Sequence, residues 1–185
     1  ERNKRRNGPI FGLDEELSFK TDNPVFEIYN KKYWAKDENK ALVETSSQKL
    51  RQFFNGDAAL EDVFDVKRWA SYFAIVDMTS TYHGAQLQSV KLYYNPISGL
   101  FEPIPFDGHK GPAYDYSPRI EKYFNDSSSF ELAQKKFFSS DGEKFFSDWL
   151  KLFFFKKDCE LNKIFYLSYK DSLNKITDEK FINNF

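Results

Sequence analysis

The clearest alternation of apolar and polar positions begins just after Asp65. Val66, Trp69, Ala70, Phe73 and Ala74 recur at spacings of three and four, the repeat of a helix that buries one stripe. Asp65 has the side chain of an N-cap, so the spacing predicts a helix over residues 65–81. A polar stretch over 80–89 follows, holding His83, Gln86, Gln88 and Ser89. The period then changes. Val90, Lys91, Leu92, Tyr93 and Tyr94 are strand formers, Asn95-Pro96-Ile97-Ser98-Gly99 is turn chemistry, and residues 100–106 return. Pro103 and Pro105 hold the return extended and remove ladder donors, which marks it as edge-like. It runs straight into Asp107-Gly108-His109.

Other elements are read more coarsely. The Asn23-Pro24 turn leads into Val25, Phe26, Glu27, Ile28 and Tyr29, a short strand, and a helix is predicted over 47–55 with Gly56 as its stop. Residues 110–129 form a long connection rich in Pro, Tyr, Asp and Ser, of a length that is often functional or mobile. Two further helical stripes follow, Phe145, Phe146, Trp149, Leu150 and Phe153, then Leu161, Ile164, Phe165, Tyr169, Ser172, Leu173 and Ile176. Mixed elements first and helices last predict an α+β class. No repeat or long linker divides the 185 residues, so a single domain over 1–185 is expected. The chain opens on Glu1 rather than Met and closes on polar residues after Lys180, so this domain is expected to be an excerpt, truncated on its N-terminal side.

Composition changes this picture in one respect. Aromatic residues are 19% of the chain, with 21 Phe and 11 Tyr, and rings of that size can build a core beside 30% charged residues. Core packing is the ordinary reading of such richness; a glycan-binding or stacking surface is the alternative. The net charge of −1 gives no general attraction to nucleic acid, and the basic run Arg2, Lys4, Arg5 and Arg6 reads as a solvated face. The single cysteine, Cys159, cannot form an internal disulfide. No apolar stretch approaches the roughly 18 residues of a membrane span. The Asn125-Asp126-Ser127 sequon is a weak signal.

The chemistry concentrates in one block: helix, polar loop, hairpin, Asp107-Gly108. A carboxylate leaving a short hairpin, followed by glycine, is how protein kinases hold magnesium. The spacing has little specificity, since any hairpin ending in Asp-Gly fits it. The wording adds more. The segment VFDVKRWASYFAIVDMTSTYHGAQLQSVKLYYNPISGLFEPIPFDG, residues 63–108, resembles the core of the CotH kinase family, with its helix of the type D…(L/W)A.YFA and its hairpin N…Y.Y.NP.TG.LEPI.(W/F)D. The opening RRNGPIFGLDEEL is similar to a segment found upstream in one branch of that family, and residues 145–176 are similar to its helical tail.

The resemblance implies an atypical protein-kinase-like domain, with a partial small lobe, a β-hairpin and a mainly helical large lobe. It implies Mg²⁺ and ATP as cofactors and phosphate transfer to the hydroxyl of a protein substrate, such as a coat or envelope protein, in an extracytoplasmic setting. Asp107 falls on the metal-binding aspartate. Gln86, Gln88 and Gly108 fall where the nucleotide is held. The positions of the catalytic aspartate and of an asparagine ligand are taken here by His83 and Ser89, although one branch also carries His near the first.

That departure matters chemically. An imidazole can act as a base near neutral pH but brings no negative charge to a metal, and serine is a poorer ligand than asparagine. The readings left open are a weak kinase, another phosphoryl or nucleotidyl transferase, and a pseudokinase acting as an envelope interaction module. A metal-dependent hydrolase using His83, Asp107, His109 and Asp115 is a further alternative. Each residue also has a plainer role: Asp107 as a turn cap, His83 near a helix C-terminus, and Lys91 on a solvent-facing strand position.

Overall fold

A computed structural model describes residues 7–21, 24–79, 81–108, 144–156 and 160–178. The fold is mixed α+β, as the order of elements predicts. Its strands are β1 (Ile10–Leu13), β2 (Phe26–Ile28), β3 (Lys91–Asn95) and β4 (Leu100–Ile104), joined in one antiparallel sheet of order β2-β1-β3-β4. The chain divides into two compact units. The first is Glu1–Trp69 with Gln88–Phe106, and the second is Ala70–Leu87 with Asp107–Phe185.

The first unit is built round the hairpin. β3 and β4 pair from Lys91↔Ile104 to Asn95↔Leu100. The turn between them closes through Gly99 N–H to the Asn95 carbonyl at 2.8 Å, with Ile97 N–H donating to Asn95 Oδ1 at 3.0 Å. Gly99 lies at φ 69°, a backbone conformation that costs glycine nothing. β4 is an edge strand, so Pro103 removes no donor that a further strand would need. On one face Phe11, Leu92, Tyr94 and Phe101 are buried. The Phe101 ring stands edge-on to Phe11 at 5.8 Å. Its carbonyl accepts from Asp65 N–H and from Trp69 Nε1, both at 2.9 Å. That one oxygen therefore fastens the chain entering the central helix to β4.

Helix α1 is Glu15–Thr21, α2 is Lys31–Trp34, α3 is Asp37–Asn55 and α4 is Leu60–Val63. α3 ends, as predicted, at Gly56 in the left-handed conformation, φ 74°. It starts ten residues before the predicted helix, since no side chain caps it at Lys36 and its apolar positions are sparse at that end. Lys49 on α3 donates to the carbonyls of Asp62 and Gly99, at 2.8 and 2.9 Å, so one ammonium ties α3 to α4 and to the hairpin turn. β1 escapes the hydrophobic pattern altogether. It is four residues long and includes Gly12, too short for a period of two to show.

Helix α5 is Val66–Thr79, two residues shorter than predicted at its C-terminal end, and Asp65 caps it, accepting from Arg68 N–H at 3.1 Å. Two further helices belong to the second unit, α6 (Lys144–Phe154) and α7 (Lys163–Thr177). α7 is capped by Asn162, whose side chain accepts from Phe165 N–H at 3.2 Å. Phe73 of α5, Phe153 and Phe154 of α6, and Phe165 and Tyr169 of α7 are all buried. Their rings meet mostly edge to face, for example Phe154 to Phe165 at 5.0 Å and 86°, the arrangement that ring quadrupoles favour. Core packing thus accounts for these aromatic residues. The predicted stripe on α7 holds for Phe165, Tyr169 and Leu173 but not for Ile164, which is 64% exposed. One residue along a helix turns about 100°, which carries Ile164 off the buried face that Phe165 begins. The side chains of Phe145 and Phe146, the connection 110–129, the sequon, Cys159 and the basic run at residues 2–6 lie outside the described residues and side chains. No described helix is long and apolar enough to cross a membrane.

Two glycines differ sharply in what they permit. A Cβ on Gly8 would lie 2.0 Å from the Tyr94 carbonyl oxygen, whereas a Cβ on Gly108 would meet nothing nearer than Thr81 Cβ at 4.0 Å. Gly8→Ala is therefore expected to cost about 1–3 kcal/mol, as overpacking does. Gly108→Ala should change stability by no more than about 0.5 kcal/mol. Urea denaturation of both variants checks the contrast, and equal losses would contradict it.

Candidate functional site

The site is assembled in the second unit from the end of α5 upward. After Thr79 the chain forms a tight 3₁₀ turn at Tyr82–Ala85, and this turn carries His83. Residues on both sides of His83 are tied to α5. The Tyr82 hydroxyl donates to Asp77 Oδ1 in a short hydrogen bond. The Tyr72 hydroxyl donates to the Gly84 carbonyl at 2.5 Å. Tyr72 is almost fully buried, and burial pushes its hydroxyl well above the usual tyrosine range, which keeps it a neutral donor.

Asp77 is itself 1% exposed, and its other oxygen accepts from the Tyr169 hydroxyl of α7 at 2.5 Å. A buried carboxyl group needs such partners, because removal from water without them costs several kcal/mol. Sequence reasoning passed over Asp77, although a signal was present. It stands three residues after Ala74 and four after Phe73, so it continues the buried stripe of α5 with a polar side chain.

His83 Nδ1 lies 3.1 Å from the Asp107 carbonyl oxygen and 3.5 Å from Asp107 Oδ2. A carbonyl oxygen only accepts, so the ring nitrogen facing it carries the hydrogen. In the neutral ring this puts the basic lone pair on Nε2. Asp107 is exposed and holds φ at 53°. Non-glycine residues seldom take this left-handed conformation, although aspartate tolerates it better than most. The left-handed backbone at the end of the return strand therefore falls on Asp107 itself. Gly108 has no backbone angle that demands glycine; what it provides is open space next to the carboxylate.

Of the residues singled out in the sequence, His83 and Asp107 are brought together. Gln86 is half-buried in the same unit and Gly108 is exposed. Gln88 and Ser89 belong to the first unit, Gln88 half-buried and Ser89 buried at 4% exposure. Lys91, also in the first unit, is half-buried; its ammonium donates to the Gln88 carbonyl at 3.1 Å and lies 5.0 Å from the Phe106 ring centroid. His109 and Asp115 lie outside the described residues.

Among the described residues, no group of three or more His, Cys, Asp or Glu side chains could hold a metal ion. The His83–Asp107 pair therefore does not make a three-ligand zinc centre. One exposed carboxylate suits Mg²⁺, which keeps most of its water and binds through one or two carboxylates together with substrate phosphates.

No protein-family model matches the chain, and no curated protein or solved structure matches it either.

Tyr72→Phe leaves the Gly84 carbonyl without this donor and should cost about 1–3 kcal/mol near neutral pH. The folded state holds the Tyr72 proton more tightly than the unfolded chain does. The wild type should therefore lose stability as pH rises above about 10, where an unfolded tyrosine ionises. The difference between wild type and Tyr72→Phe is expected to shrink over that range. Denaturation midpoints measured on either side of this pH test the sign, and a widening difference would refute it.

Proposed function

We propose that the chain is a CotH-type phosphotransferase that passes phosphate from Mg-ATP to a protein hydroxyl. The observation that carries this reading is the contact between His83 and Asp107, which sets an imidazole beside an exposed carboxylate in the second unit. The resemblance of residues 63–108 to the CotH kinase core adds the reaction class. Mg²⁺ with ATP supplies a phosphoryl donor whose negative charge is partly neutralised.

The chain's own residues have distinct tasks in this proposal. Asp107 would hold the metal through its carboxylate. His83 Nε2 would accept the proton of the incoming hydroxyl, the task that falls to aspartate in protein kinases. The space above Gly108 would leave room for phosphate oxygens, with Gln86 as a polar neighbour for the nucleotide. Gln88 and Ser89 are assigned by resemblance alone, Gln88 to the nucleotide and Ser89 to the place of the asparagine ligand. The substrate would be a protein of a coat or envelope, outside the cytoplasm.

Ligand-induced stabilisation tests the proposal. At a Mg-ATP concentration ten times Kd, binding adds about 1.4 kcal/mol to stability, equivalent to a Tm rise of about 3–6 °C for a chain of this size. The wild type should show that rise and Asp107→Ala should lose it. Transfer of labelled phosphate to a protein acceptor should fall at least about tenfold in His83→Ala. Absence of any Mg-ATP shift in the wild type would overturn the proposal, and a shift without transfer would leave a nucleotide-binding pseudokinase instead.

A further inference from the structure

The group left unused by the proposed reaction is the buried carboxyl of Asp77. It sits in the last turns of α5 and receives hydroxyls from two directions, Tyr82 on the turn that carries His83 and Tyr169 on α7. We infer that Asp77, acting through Tyr82, is a positioning residue that fixes His83 as the Nδ1–H form facing the Asp107 carbonyl. The inference about geometry stands on its own. Its consequence for rate rests on the phosphotransferase reading.

The argument is one of anchoring. A four-residue 3₁₀ turn has poor internal hydrogen bonding and does not hold one geometry by itself. Here the residues flanking His83 are each bonded to α5, Tyr82 through Asp77 and Gly84 through Tyr72. The turn's orientation is thus set by the helix. Tyr169 donates to the other oxygen of Asp77, so the bond between Asp77 Oδ1 and Tyr82 is separate from the bond to α7.

Asp107 meets this arrangement with a strained backbone. Left-handed φ at a non-glycine residue persists where the surroundings over-determine it. His83 Nδ1 at 3.1 Å from its carbonyl is one such restraint. The chain from Asp77 to Tyr82 to His83 to Asp107 therefore selects one imidazole tautomer and aims its basic nitrogen.

The test uses variants whose effects differ. Tyr82→Phe removes only a hydroxyl, Asp77→Asn keeps the shape of the acceptor, and Tyr169→Phe removes the donor to the other Asp77 oxygen. The tautomer of His83 is read by two-bond ¹H–¹⁵N correlation at a pH where the spectrum itself shows the neutral ring. Signals are assigned with His83→Gln, because the chain has only two histidines.

The wild type should show the Nδ1–H pattern. Tyr82→Phe and Asp77→Asn should move His83 to mainly Nε2–H, while Tyr169→Phe should lower Tm and leave the tautomer unchanged. In the transfer assay, Tyr82→Phe should lower kcat about tenfold with KM for Mg-ATP within about twofold, since a misdirected base affects proton transfer rather than binding. An unchanged tautomer in folded Tyr82→Phe overturns the inference even if Asp77→Asn fails to fold. So does a tautomer shift in Tyr169→Phe, which would mark the effect as general loosening. If the wild type transfers no phosphate, the tautomer readings still decide the positioning, and only the phosphotransferase reading falls.

Discussion

A carboxyl group inside an aromatic core has to be met by donors, and in the second unit this requirement organises much else. Asp77 is placed among buried residues by the period of α5, which brings one side of that helix against the interior. Its two oxygens are met by tyrosine hydroxyls from different elements. Replaced by leucine, the position would pack, but Tyr82 and Tyr169 would lose a common acceptor. The polar group costs desolvation and returns geometry. It joins α5, the 3₁₀ turn and α7 through atoms whose spacing tolerates little variation, unlike the ring contacts around it.

The hairpin and α5 were legible because their signals are local. Asn95 and Gly99 specify a turn wherever they stand in that spacing, and the stripe from Val66 to Ala74 needs only the helical period. β1 was not legible, because four residues with a glycine among them have no period to show; its strand state comes from pairing with β2 and β3. The early half of α3 was missed for a related reason. Its start is held by helix continuity rather than a side-chain cap, so no single residue announces it.

The site was half legible. Asp107 and His83 stand 24 residues apart in sequence, and their meeting depends on the turn and the hairpin end together. The sequence pointed to both, by residue type and by resemblance, while the residue type that usually takes a left-handed backbone stands at Gly108. The structure gives that conformation to Asp107, at φ 53°. Glycine is the usual signal for a left-handed residue, and aspartate can take that role because its short polar side chain tolerates the conformation. The strain was therefore hidden behind a neighbour better suited to it. Asp77 is hidden in the opposite way, as a polar member of an otherwise apolar stripe.

In the proposed reaction, histidine in place of aspartate as the base would change the electrostatics of the site more than its geometry. An aspartate beside the metal position would add negative charge there and draw the metal towards the base. A neutral imidazole adds none, so Asp107 would have to supply the local negative charge while its own carbonyl orients the base. In the proposed site one residue would then serve two purposes, its side chain towards the cation and its backbone towards His83. That double role would account for a left-handed backbone at Asp107 rather than at Gly108. The carbonyl must turn back to His83 while the carboxylate remains exposed, and the left-handed conformation satisfies both demands in a single residue.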